Sequence, residues 1–166
     1  MVRDAIFWKV VSGELPTSPA ATLLGWKFLD YDEAARRIHV AFDANHALTN
    51  PVGNIQGGLL SAMLDDCMGP AIYAGLPPDR IAVTIESKTS FVNAAVPGRI
   101  LGCGQIEHSK GSIAFTSGWL SDESGKVLAR ATATFRVGNL RWKGLAIPRG
   151  LARHMVARRL RAARPA

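Results

Sequence analysis

Asp65 and Asp66 are neighbouring carboxylates set inside an otherwise apolar run, and Gly57-Gly58 opens that run. The two features offer complementary chemistry. A carboxylate can take a proton from water or attack an acyl carbon. A glycine pair at the start of a helix presents uncapped backbone N–H groups at the positive end of the helix dipole. Such groups hold an anion or polarise a carbonyl whose oxygen gains charge in the transition state. Glycine also lets a substrate approach the main chain. Taken alone, Gly-Gly is explained equally well by a tight turn, so its neighbours decide its meaning.

A helix over residues 57–73 must position these groups. Leu59, Leu60, Ala62, Met63, Leu64, Cys67, Met68, Ala71 and Ile72 leave it almost no polar face, the pattern of a buried helix. Successive side chains on a helix point about 100° apart, so one aspartate can face outward while the other is held against the protein. Burying an aspartate is expensive unless it is paired or used. Asp65 lies eight residues beyond Gly57, and the rise of a helix makes that about 12 Å. The two cannot share a reacting atom within one chain. If they act together, they come from different subunits.

The remaining pattern is strand-like. Residues 4–12 read as a short N-terminal helix, with Pro16 and Pro19 marking a loop after it. Leu24–Tyr31 and Arg37–Asp43 read as a strand pair joined by a turn at Asp32-Glu33. Four more strands are expected over 81–92, 99–107, 113–120 and 127–137, separated by Pro97-Gly98, Ser109-Lys110-Gly111 and the Asp122–Gly125 turn. The order is ββαββββ, an α+β fold whose antiparallel sheet buries the helix most simply by curling around it.

At 166 residues the chain suits one folded unit, taken as residues 1–140, with residues 141–166 as a basic extension. The net charge of +7 resides in that extension, which holds eight Lys/Arg and no acid. Without those eight, 12 basic residues face 13 acidic ones, a body charge of −1. The basicity is therefore no sign of nucleic-acid binding by the body. Pro148 can open a helix in which Leu151, Met155, Val156 and Leu160 oppose the arginines. Solvation or packing on a partner is the expected state of that helix, ahead of membrane contact. Cys67 and Cys103 sit in apolar segments without metal-ligand spacing, and no run has the length of a membrane span. His39, His46, His108 and His154 have no companions that would make a metal site. These features, with a start unlike a signal peptide, give a cytoplasmic expectation.

Asn50, then Gln56-Gly57-Gly58, then Asp65 resembles the Asn-x5-His-Gly-Gly-x6-Asp pattern of hotdog-fold acyl-CoA thioesterases. The likeness is to the PaaI-like branch, related to the 4-hydroxybenzoyl-CoA thioesterases that carry glutamate at the Asp position. It runs from about Thr22 to Val137 and includes Leu24, Ser90-Phe91-Val92 with Pro97-Gly98, and Ala129–Phe135. The resemblance implies a sheet wrapped around a helix, homodimers that pair into tetramers, and sites at the subunit interface. It also implies that Gly57 N–H polarises a thioester carbonyl, that Asn50 orients the thioester or water, and that Asp65 of the facing subunit is general base or nucleophile. Thr84 falls where some members place a hydroxyl that positions water. Gln56 and Gly58 complete the substrate loop, while Lys110, Gly111 and Arg136 are candidates for the CoA phosphates. No cofactor or metal is implied.

Gln56 departs from the pattern, because glutamine hydrogen-bonds but does not titrate near neutrality. If the usual histidine only props the loop, activity survives. If it tunes the thioester, the chain is a catalytically weak acyl-CoA or aromatic-ligand binding protein.

Overall fold

The computed structural model describes residues 5–163, so Asp4 of the expected first helix and Arg164 of the extension lie outside the described residues. The elements are α1 (Ile6–Val11), α2 (Pro19–Leu23), β1 (Trp26–Asp32), β2 (Arg37–Ala44), a 3-10 turn (His46–Leu48) and α3 (Gly57–Tyr73). Then follow β3 (Arg80–Phe91), β4 (Gly98–Lys110), β5 (Ile113–Ser121), β6 (Val127–Asn139), the hairpin β7 (Arg141–Trp142) with β8 (Leu145–Ala146), and α4 (Arg149–Ala162).

Strand order in the six-stranded sheet is β1-β2-β4-β5-β6-β3, and every pairing is antiparallel. The chain leaves β2 near one edge and re-enters as β3 at the other, so α3 must cross the face of the sheet between them. Period-two alternation makes that face apolar. In β2, Ile38, Val40 and Phe42 are fully buried; in β6, Ala131, Ala133, Phe135 and Val137 point in while Arg130, Thr132 and Arg136 do not. This is the wrapped-helix arrangement expected from the sequence.

Glycines let the helix come down onto the sheet. A Cβ on Gly104 would lie 2.2 Å from the Cys67 carbonyl oxygen, and one on Gly102 would lie 2.5 Å from Cys67 Sγ. Gly118, paired with Gly104 across β4 and β5, gives Met68 the same clearance at 3.0 Å. The seat is completed by a contact from β1 of the same sheet. Pro70 has no N–H, so the Asp66 carbonyl lacks its usual helical donor. The Trp26 indole N–H fills the vacancy, donating to Asp66 O at 3.0 Å.

Two sequence expectations change. The Pro16–Pro19 loop contains a short helix, α2, because Ser18 accepts the N–H of Ala21 and Pro19 pre-sets the first turn. Leu24 therefore caps α2 rather than starting a strand, and β1 begins at Trp26. Gly25 makes the switch at φ +69, with Asp43 backbone too close to admit a side chain. At the opposite end, Phe7 and Trp8 of α1 pack edge-on against Phe28 of β1, and Trp8 Nε1 donates to Ala74 O at 3.0 Å beyond the end of α3.

Substituting Gly104→Ala should cost about 3 kcal/mol, because backbone rather than a yielding side chain blocks the new methyl. Gly58→Ala, with nothing within 4 Å, should cost less than about 0.5 kcal/mol. Urea unfolding midpoints at unchanged slope would test the contrast.

Candidate functional site

The polar loop before α3 is a built structure. Asn50 Oδ1 accepts the N–H groups of Val52 at 3.0 Å and Asn54 at 3.2 Å, while Asn50 N donates to Asn54 O at 2.7 Å. With its oxygen so engaged, the Asn50 amide acts toward a ligand as a donor through its NH2 group. Gln56 is held by its backbone: N donates to Leu48 O at 2.9 Å, and O accepts the first helical N–H groups, those of Leu59 and Leu60. Its exposed side chain makes no cap bond.

Gly57 and Gly58 precede those first intrahelical bonds, so their N–H groups are the orphan donors of the helix start. A Cβ on Gly57 would press on the Phe91 ring at 3.2 Å, whereas Gly58 faces open space. Asn50, Gly57, Leu60, Phe91 and Asn93 line one cleft of about 310 Å³. Two of the expected site residues, Asn50 and Gly57, are thus brought together.

Farther along α3, Asp65 meets Thr84 of β3, whose hydroxyl donates to Asp65 Oδ1 at 2.9 Å. Thr84 sits beside a bulge between Thr84 and Glu86, and such irregularities re-aim side chains. Tyr73, a little over two turns farther along α3, fixes the same strand, accepting Ala82 N–H at 3.2 Å and donating to Ala82 O at 2.8 Å. Asp66 turns the other way. Its Oδ2 is buried without a hydrogen-bond partner, and burial, with Asp65 adding repulsion, pushes its carboxyl up to about 6. The sequence predicts one aspartate facing outward and the other held against the protein; instead both are half-buried, Asp65 held by Thr84 and Asp66 with one oxygen buried. The raised acid was not readable from residue types, since adjacency does not say which carboxylate is desolvated.

Lys110 and Gly111 lie elsewhere within the chain. They line a cleft of about 310 Å³ at the C-terminal end of α3, together with Tyr31, Arg36, Arg80 and Leu76. The helix length separates it from Gly57 by about 24 Å. Sequence reading missed Arg36 and Arg80, which the fold gathers from a turn and a strand start. Arg36 takes φ 50 in that turn, and its Nη1 donates to Ser109 Oγ at 3.0 Å. Arg136 is exposed on β6, opposite Val83 on one side and Ile113 on the other.

The family description "thioesterase superfamily" matches residues 52–129. The phenylacetic acid degradation-related protein of Ralstonia eutropha is 33% identical, with 78% of this chain and 98% of that one covered at a TM-score of 0.76. The E. coli PaaI protein of the phenylacetic acid degradation operon shares the fold at 18% identity, with 70% and 86% covered and a TM-score of 0.64. A Bacillus halodurans protein solved with CoA shares it at 24% identity, with 60% and 66% covered and a TM-score of 0.58. No curated protein matches the chain.

The Asp66 carboxyl gives a pH signature. Its folded value, about 6, lies above the ordinary 3.8, so the native state holds the proton more tightly than the unfolded chain. Stability is unaffected below the unfolded value and falls as pH rises through this interval, by as much as about 3 kcal/mol. Asp66→Asn should therefore stabilise the protein by about 1–3 kcal/mol near pH 8 and by almost nothing near pH 4. Denaturant unfolding at the two pH values measures this, and an equal effect at both would show that desolvation of the charge is not the cause.

Proposed function

This chain belongs to the thioesterase superfamily as a PaaI-like hotdog protein, and from that premise we propose that it hydrolyses acyl-CoA thioesters at a site shared by two subunits. The observation that carries this is the division of labour along α3. The orphan N–H of Gly57 opens into the cleft with Asn50, while the carboxylate braced by Thr84 lies eight residues away. A second copy supplies the missing half. Among the described elements β3 pairs only with β6, and Val83, Ile85 and Phe91 are exposed along it. An edge of this length is a template for pairing. Antiparallel pairing of two β3 edges would carry the Thr84–Asp65 pair of one subunit toward the Phe91–Gly57 end of the other. Pairing of such dimers into a tetramer completes the proposed assembly.

In this site the Gly57 N–H binds the thioester oxygen and the Asn50 amide steadies the thioester or the water. Asp65 then acts in one of two ways. As base it takes a proton from water, hydroxide adds to the carbonyl carbon, and the tetrahedral oxyanion collapses with loss of thiolate, which recovers the proton. As nucleophile it attacks the carbon itself and water cleaves the resulting anhydride. Either way thiolate leaves readily, so one carboxylate and one oxyanion donor suffice. Thr84 holds one carboxylate oxygen, fixing the direction of the other. Lys110, Gly111 and Arg136 are assigned to the CoA phosphates.

Gln56 does not weaken this reading. The loop is held in place by the backbone of residue 56, so glutamine in place of histidine leaves Gly57 where it is. A reducing, cytoplasmic setting is part of the proposal, supported by two buried free thiols, Cys67 and Cys103.

Asp65→Asn keeps size and removes basicity, so turnover should fall at least about a hundredfold with the fold intact. Thr84→Val should cost about tenfold, and Asp66→Asn little. Free-thiol release from short, medium, long and aryl acyl-CoAs would be measured. Near-full activity in Asp65→Asn with an inactive Asp66→Asn would assign the chemistry to the other carboxylate and overturn the mechanism.

A further inference from the structure

The C-terminal extension folds back onto the N-terminus. Arg149 Nε meets Asp79 Oδ1 at 3.1 Å, Ile147 N donates to Leu140 O at 2.9 Å, and Ala152 is fully buried. Between α1 and α4 this leaves a cleft of about 430 Å³, lined by Lys9, Glu14, Arg153, His154, Arg158 and Arg161 among others. Both helices lie outside the residues matched by the thioesterase family.

The electrostatics of this cleft are one-sided. The only carboxylate among its lining residues is Glu14, and Lys9 Nζ donates to it at 2.8 Å. That hydrogen bond, with the nearby charges of Lys9 and Arg153, holds the Glu14 carboxyl below its ordinary range. The guanidinium groups of Arg153, Arg158 and Arg161 line the cleft from α4, Arg153 within the field of Glu14, and no residue of that helix is acidic. Like charges stacked a turn or two apart repel. From Arg153 to Arg161 the row spans about 12 Å, the reach of two or three linked phosphates. Guanidinium forks match phosphate oxygens bidentately, and a volume of this size admits a diphosphate or a nucleotide.

We propose that the α1–α4 cleft is a phosphate-binding site separate from the hydrolytic centre, taking a ligand with two or more phosphate groups on Arg153, Arg158 and Arg161. Insertion of α4 into a bilayer does not fit. Met155, Val156 and Leu160 are half-buried against the protein, and Leu151 is the one large apolar residue that the described helix exposes. The phosphates come either from a soluble compound or from lipid headgroups touched without insertion.

The test uses full-length protein, calorimetric titration with pyrophosphate, and co-sedimentation with phosphatidylserine–phosphatidylcholine vesicles. The comparison is Arg158→Ala/Arg161→Ala, a change that favours helix. Pyrophosphate should bind the wild type, and the double variant should lose about tenfold or more in affinity. Circular dichroism, kcat and KM for an acyl-CoA should be unchanged. Binding to vesicles alone, lost in the same variant, would also support the site and name headgroups as the source. No binding to either probe, or binding that survives the double substitution, would overturn it. So would a KM for acyl-CoA that rises in step, because the cleft would then belong to the substrate.

Discussion

The backbone of α3 rests on the backbone of β4. At Gly104 and Gly102 the clearance is too small for any side chain carbon, so Cys67 and Met68 meet the sheet where other helices would ride on a layer of side chains. This contact fixes the height and rotation of the helix together. Once Cys67 is down on β4, Trp26 can reach the carbonyl that Pro70 leaves without a donor, and Asp65 is turned toward β3. The loop before the helix is then held at its start by Leu48 and Ala95 carbonyls. The position of every proposed reacting group follows from that seat.

Two carboxylates in sequence occupy opposite electrostatic situations. Asp65 accepts a hydrogen bond from the Thr84 hydroxyl. Asp66 has a buried oxygen without a donor, and its proton is held up to about 6. An acid poised in that range is often taken as a catalytic candidate. Geometry argues otherwise here, since no donor positions the buried Asp66 Oδ2, whereas Thr84 holds the Asp65 carboxylate. The penalty at Asp66 fits a structural cost of placing charge beside the Trp26 contact.

The fold was legible because its signals are periodic. Alternation in β2 and β6 and the unbroken apolar character of α3 gave the element order, and Gly57 gave the helix start. What alternation does not carry is close approach. Gly102, Gly104 and Gly118 read as weak points in strands, and only the packed helix shows them as its seat. The α2 helix was hidden because two prolines mark both loops and first turns. For the proposed site, motif spacing nominated Asn50, Gly57 and Asp65, and the helical rise put Gly57 and Asp65 too far apart to share a reacting atom within one chain. Arg36, Arg80 and the α1–α4 cleft were not legible, since each depends on residues brought together from distant parts of the chain.

The central claim is that one chain contributes Asn50 and Gly57 while its partner contributes Asp65. An Asn50→Ala chain mixed with an Asp65→Asn chain tests it directly. In a hybrid dimer one site collects both lesions and the other collects neither. Random reassembly of equal amounts makes about half the dimers hybrid, so about a quarter of wild-type activity should return from two inactive, folded parents. Subunit exchange is verified with a tag on one chain. Proven exchange with no recovered activity would place all three residues in one chain's site and contradict the account.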